Sequence, residues 1–325
     1  MKKIAIICLP GLDSFIRDIA HELANDYEVR LCVTNSATEI KAAIEWAEIV
    51  WLEWANETAI EAMKYVSGKP VVVRLHSYEA LSGYLPAIPW ERVSRLVLVS
   101  PHMADICEAM LPGITGRVDT VVIPNGVDID NIPFMERKHG FNVAWVCDIS
   151  HKKGPQLLPQ VLHALVSKNK RYHLHVAGAF QEPRYEIYLK HMLHEMGLSE
   201  NVTFYGHLDK SAMEEFWGKQ NYLLSCSPHE GHPYNIMEAM ARGIIPVIHA
   251  FYGAGKLYPP QYVWYTIPEA IDIITAPEER PEWHVGYERL APTPDEIVGF
   301  REYVISRGWT LTDQMKSIRK VLGEI

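Results

Sequence analysis

Along the chain, short runs of consecutive apolar residues alternate with segments of amphipathic helical pattern. Residues 4–9 form the first apolar run, and "DSFIRDIAHELAND" follows as the first helical segment. "EVRLCVT", "EIVWLEW", "PVVVRLH" and "RLVLVS" read as further strands, and "TEIKAAIEWA", "NETAIEAMKYVS" and "PHMADICEAML" as helices among them. "DTVVIPNGVD" adds one more strand and a tight turn at Asn125-Gly126. Apolar strands separated by helices predict a parallel sheet covered on both faces. At "NIPFMERKHGFN", Pro133 and a charged stretch interrupt the pattern, and the alternation then restarts. "NVAWVCDIS", "YHLHVAGA", "NVTFYG", "NYLLSCS" and "IIPVIHA" are its strands, with helical segments between them. The expected fold is therefore two successive doubly wound α/β domains over residues 1–138 and 139–300. A helical tail follows over residues 301–325 and is expected to return to the first domain.

In open sheets of this kind ligands bind beyond the carboxyl ends of the strands, and two such domains predict a site in the cleft between them. "SPHEGHPYNIMEAMARG" places Glu230 in the loop after "NYLLSCS" and Glu238 near the first full turn of the next helix. The helix N-terminus suits a phosphate, Gly231 permits close backbone approach, and carboxylates are good acceptors for neighbouring sugar hydroxyls. A loop glutamate and a solvated helix glutamate would account for the same pair. In "AWVCDISHKKGPQLL", His151, Lys152, Lys153 and Gly154 form a strand-to-helix loop that could contact a diphosphate or be merely exposed and basic. "VVVRLHSYE" sets Arg74, His76 and Glu79 at the end of a first-domain strand, where His76 could face the cleft or be structural.

Composition narrows the partners. The 325 residues are 48% hydrophobic and 22% charged, with a formal net charge of −9, so neither nucleic acid nor anionic membrane is attracted in bulk. Five scattered cysteines with no C-x-x-C pair argue against a disulfide framework or thiolate metal site and for a reducing compartment. Among fifteen histidines, the pairs His229/His232 and His191/His194 lack an obvious third ligand nearby, and Asp128 and Asp130 are weak evidence for metal, so no metal is expected. The opening apolar run ends at Pro10-Gly11, too short for a signal h-region, and no stretch approaches a membrane span. A soluble, cytoplasmic protein is expected, with at most peripheral membrane contact. "GYLPAIPW" could line an acceptor groove, touch lipid or be a buried loop.

Taken together these stretches resemble the retaining glycosyltransferases of family 4, which have the GT-B fold of two Rossmann-like domains facing a cleft. "SPHEGHPYNIMEAMARGIIPVI" is similar to the family's Glu-x7-Glu segment. "VVIPNGVDID", "KKGPQLL", "LHVAGA", "NVTFYGHLDKSAMEEFW" and "RGWTLTDQM" match further landmarks in order, over nearly the whole chain. The resemblance implies transfer of a sugar from a nucleotide-diphosphate sugar to an acceptor glycan, glycolipid or small molecule, with retention and with no metal or other cofactor. It implies catalytic roles for His76, Glu230 and Lys153: His76 and Glu230 on the transferring sugar, Lys153 on the diphosphate. Donor contacts are implied for Gly11 in the first loop and for Lys152. They are implied also for Gly231, His232, Pro233, Tyr234 and Asn235 at sugar and phosphate, for Gly206, His207 and Leu208 near the base, and for Glu238 at the ribose.

The sequence departs from the family pattern in places. Cys147-Asp148 stands where an arginine usually precedes the Lys-Gly pair, and Pro10-Gly11 where paired glycines are common. The glutamate that usually follows near Gly253 and Gly255 is missing, with Lys256 and Tyr258 in that neighbourhood. Asp148 motivates the alternative of a degenerate relative that binds a nucleotide sugar or partner without turnover. A third reading is a GT-B epimerase or phosphorylase; the phosphorylase would need a pyridoxal phosphate lysine motif, which the sequence does not show.

Overall fold

The computed structural model describes residues 1–135, 137, 140–275 and 294–325. Strands β1 (Lys3–Cys8), β2 (Glu28–Val33), β3 (Ile49–Glu53), β4 (Val71–Leu75), β5 (Arg95–Leu98) and β6 (Thr120–Val122) form a parallel sheet in the order β2-β1-β3-β4-β5-β6. Helices α1 (Ser14–Leu23), α2 (Ala37–Trp46), α3 (Glu57–Met63), α4 (Tyr78–Leu81) and α5 (His102–Met110) lie between them in sequence. Strands β7 (Asn142–Val146), β8 (His173–Ala177), β9 (Val202–Gly206), β10 (Tyr222–Ser225), β11 (Ile245–His249) and β12 (Val263–Trp264) form a second parallel sheet, ordered β12-β11-β10-β7-β8-β9. Its helices are α6 (Leu158–Lys168), α7 (Pro183–Glu195), α8 (Lys210–Gly218), α9 (Tyr234–Ala241), α10 (Ala254–Leu257), α11 (Ile267–Thr275) and α12 (Pro294–Ser306); α13 (Leu311–Gly323) follows.

The continuous apolar runs have a direct cause. In β1, Ile4, Ile6 and Cys8 pack with Ile16, Ile19 and Leu23 of α1 and with Met315, Ile318, Val321 and Leu322 of α13. Ala5 and Ile7 face the opposite cluster, with Ile40, Ala59 and Met103. With both faces covered, no position is left for polar alternation. "GYLPAIPW" contributes to this second cluster: Leu85, Ile88 and Trp90 are buried in it, as the buried-loop reading expects, while Gly83, Pro86 and Ala87 are exposed.

The chain divides into two compact units, Met1–Gly126 with Gly308–Ile325, and Val127–Arg307. The crossings therefore fall at Gly126/Val127 and Arg307/Gly308. The sequence break at 138/139 lies at residues outside the described ones, and the break at 300/301 lies within α12. Arg301 of α12 explains this placement: it donates to the carbonyls of Ile132 (2.9 Å), Ala241 (3.1 Å) and Ile129 (2.5 Å), tying the segment after Gly126 into the second unit. Asn125-Gly126 is not a turn; the turn lies at Ile129 and Asp130, and Asp128 accepts from the Asn131 amide at 2.7 Å. Gly126 instead allows close approach, because a Cβ there would sit 2.3 Å from the Thr310 carbonyl oxygen. Among the described residues no helix is long and apolar enough to cross a membrane.

Candidate functional site

In the second sheet the chain leaves β7 toward β8 on one side while β10 lies on the other, so the topological switch point is between the carboxyl ends of β7 and β10. The loops that follow these strands carry Lys153 and Glu230. Gly154, at φ +62°, lets the first loop rest on the second: a Cβ there would stand 2.2 Å from the Cys226 carbonyl oxygen. The result is an ion pair across the switch point, Lys153 Nζ to Glu230 Oε1 at 2.5 Å, with side chains 29% and 10% exposed. Burial opposes the Lys153 charge, but the Glu230 carboxylate outweighs it and pushes the lysine pKa up.

Helix α9 begins beside this pair. Its N-cap is Pro233, which has no side-chain oxygen to cap it; Asn235 Oδ1 accepts the Ile236 N–H at 2.9 Å, and the positive end of the helix suits an external anion. Asn235 Nδ2 donates to the Val146 carbonyl at 2.8 Å and anchors the helix start to the end of β7. Gly231, His232 and Pro233 are buried, and Tyr234 and Asn235 half-buried. Half-buried Glu238 lies one turn in; burial pushes its carboxyl up, Arg242 works against that, and Glu214 adds to it.

His151 directs both its backbone N–H and its Nδ1 to Glu182 Oε1, at 3.0 and 2.9 Å, and Lys152 is exposed. Asp148, where the resemblance expects arginine, is exposed and uses Oδ1 to accept the Ala179 N–H at 3.0 Å. Gly206 ends the edge strand β9 at φ +68° and accepts from Gly178 N at 2.8 Å; exposed His207 and half-buried Leu208 follow. The structure thus joins Lys153 directly to Glu230 and ties Asn235 to the end of β7, whereas Gly206, His207 and Leu208 stand two strands away. Among the described residues no three His, Cys, Asp or Glu side chains gather as a metal would require.

In the first unit, exposed Gly11 sits at φ +83° in the loop between β1 and α1. His76 follows β4 and is nearly buried. Its Nε2 lies 2.7 Å from Glu53 Oε1, and its ring stacks on Trp54 at 3.8 Å between centroids. Glu53 is sealed: it also accepts from Arg74 Nη1 at 3.2 Å and Trp51 Nε1 at 2.8 Å. Burial alone would raise the Glu53 carboxyl; Arg74, His76 and Trp51 reverse this and hold it below its ordinary range. Arg74 in turn donates to Asn125 Oδ1 at 2.5 Å, so the asparagine of "PNGVD" buttresses this network. Glu79 accepts the backbone N–H groups of His76 (3.0 Å) and Ser77 (2.8 Å). Sequence reasoning missed Glu53 and Trp54. The legible signal for Glu53 was a lone carboxylate inside the apolar run "EIVWLEW".

A family model for glycosyl transferases group 1 matches residues 136–263, the stretch that holds Lys153, Glu230 and Glu238. No curated protein matches the sequence. Solved structures do. HepE of Anabaena, in complex with UDP, is 16% identical over 100% of both chains with a TM-score of 0.77. Sucrose-phosphate synthase from Thermosynechococcus elongatus is 13% identical over 100% of this chain and 99% of its own, also at 0.77. A glycosyltransferase from Rickettsia africae is 15% identical over 99% and 98%, at 0.68. Such likeness is one of fold: the two parallel-sheet units are those of GT-B glycosyltransferases.

Proposed function

We propose that the chain is a retaining glycosyltransferase of family 4, moving a sugar from a nucleotide-diphosphate donor to an acceptor hydroxyl of a glycan, glycolipid or small molecule, without a resident metal. The observation that carries this reading is the Lys153–Glu230 pair at the switch point of the second unit, beside the N-terminus of α9. The family match over this segment supports it, as does HepE, whose structure was determined with UDP and glucose.

In the reaction, the bond from the sugar's anomeric carbon to the diphosphate oxygen breaks, and its electron pair leaves with the diphosphate. A bond from the acceptor oxygen forms on the same face, and the acceptor proton passes to the departing phosphate. Lys153 carries three donors, so it can keep one on Glu230 and direct others at the diphosphate. The positive end of α9 adds to that stabilisation of developing charge. Glu230 then holds sugar hydroxyls and Glu238 the ribose. Lys152 and the backbone from Gly231 to Asn235 complete the phosphate contacts, with Gly206, His207 and Leu208 near the base. Gly11 and His76 serve from the first unit. The proposed setting is the cytoplasm, with at most peripheral membrane contact.

Calorimetric titration with UDP, GDP, ADP and their sugars identifies the donor. Glu238→Ala is then expected to weaken donor binding and Glu230→Ala to suppress transfer; normal turnover in both variants would overturn the assignment. Asp148 favours a second reading, binding without turnover. Nucleotide binding with no release of nucleoside diphosphate across a wide donor and acceptor panel would select it.

A further inference from the structure

The first sheet has its own switch point, between the carboxyl ends of β1 and β3. Trp54 spans it: the residue follows β3, and its Nε1 donates to the Leu12 carbonyl, in the loop after β1, at 2.9 Å. Trp54 has φ +75°, a region in which a bulky side chain is strained. That conformation accompanies a ring laid against His76 at an interplanar angle of 26°, with Phe15 closing in at 5.3 Å from the histidine. With its backbone N–H on Glu79 and its ring nitrogen on Glu53, His76 is fixed at backbone, ring face and ring edge.

We infer that Glu53 is a positioning residue for His76: it holds Nε2–H, so that Nδ1 is offered as an acceptor to a hydroxyl of a sugar ring at the first unit's switch point. The donor inventory around Glu53 carries the argument. Arg74 and Trp51 can only donate, and both point at this carboxylate. An ionised Glu53 can only accept, so the third partner, His76 Nε2, must carry a proton as well. A neutral imidazole has one N–H, which leaves Nδ1 as a lone pair. No described residue hydrogen-bonds Nδ1, and it is not among the sealed polar atoms. A lone pair requires a donor. The donors on a sugar ring are its hydroxyls. The inference rests on the glycosyltransferase reading for its ligand but not for its tautomer. The hydroxyl could belong to the transferring sugar or to the acceptor.

The test uses the full chain with 15N-labelled histidine. Long-range nitrogen–proton correlation spectra report which ring nitrogen is protonated, and His76→Asn identifies the His76 signals. The expected pattern is Nε2–H in the neutral ring; an Nδ1–H pattern overturns the proposal, whatever any variant does. Glu53→Leu combined with Arg74→Met removes the buried pair without stranding either charge, and should abolish the tautomer preference. Calorimetry with UDP and UDP-glucose supplies the ligand arm. If the hydroxyl is the donor's, the double variant binds UDP-glucose about tenfold more weakly than the wild type does and keeps its affinity for UDP. If the hydroxyl is the acceptor's, the double variant keeps both affinities but releases UDP from UDP-glucose at least tenfold more slowly with acceptor present. A folded double variant matching the wild type in affinities and turnover overturns the positioning role. A wild type that binds neither probe counts against the glycosyltransferase reading, while the spectrum still decides the tautomer.

Discussion

Lys153 and Glu230 meet at 2.5 Å before any ligand arrives, so each holds the other until a substrate competes. The two truncations therefore have different consequences. Hydrogen bonds to charged groups contribute about 1.5–3 kcal/mol, so Lys153→Ala should weaken binding of the nucleoside diphosphate about 10- to 100-fold. Glu230→Gln releases the ammonium to the phosphate and should leave that affinity unchanged or tighter, while affinity for the sugar-bearing donor falls. Calorimetry with and without the sugar separates the cases, and equal losses of diphosphate affinity in both variants would refute the division of roles. Both residues were legible in the sequence because each lies in a loop directly after an apolar run. Asn125 was not. A local reading of Asn-Gly gives a turn, whereas the partner of Asn125 is Arg74, brought near only by the pairing of β4, β5 and β6.

At the scale of elements, β8 makes a separate prediction. His173 and His175, two apart, share one face of the strand. His173 Nε2 meets Thr203 Oγ1 at 2.8 Å, and His175 lies between Tyr205 OH at 2.9 Å and Asn142 Oδ1 at 3.2 Å. Burial is the main cause that lowers His175 to about 4 from 6.5, with His173 and Lys219 adding to it. Between those values the unfolded chain binds the proton that the folded chain refuses, so stability falls as pH drops from 6.5 toward 4. His175→Gln should flatten that decline; parallel melting curves over this pH range check it, and an unchanged slope would exclude His175 as the cause. The central strands β1, β3, β4 and β10 were readable because burial on both faces leaves nearly unbroken apolar runs. The crossing near Gly126 was not, since the binding of Arg301 to carbonyls at Ile129 and Ile132 is a long-range contact with no local pattern. Gly126→Ala would press a methyl group into the Thr310 backbone. Overpacking costs about 1–3 kcal/mol, which should appear as a lower urea midpoint. No change would mean that the neighbouring backbone gives way.

At the scale of the whole molecule, α13 completes the first unit although the second unit separates it in sequence from β6. Met315, Ile318, Val321 and Leu322 are all buried there. Full burial of such side chains contributes about 1.5–3 kcal/mol each, so four amount to roughly 6–12 kcal/mol. That approaches the entire stability of a typical domain, about 5–15 kcal/mol. Removing residues 308–325 should leave the first unit unfolded and the second intact. Limited proteolysis checks this: a surviving fragment close to residues 127–307 is expected, and protection of residues 1–126 in the truncated chain would refute it. A helical tail over residues 301–325 returning to the first domain was expected from the sequence; only Gly308–Ile325 belongs to the first unit, and residues 301–307 stay with the second.

The position of α13 also fixes an order of events during synthesis. Domains generally fold from the N-terminus as the chain emerges, but here the unit whose strands emerge first lacks its cover until every residue of Val127–Arg307 has been made. The second unit can close while Ile4, Ile6 and Ile16 still wait for α13. The nascent chain thus carries an open apolar face for as long as translation of the second unit takes, and that interval is when a holding chaperone would have most to bind.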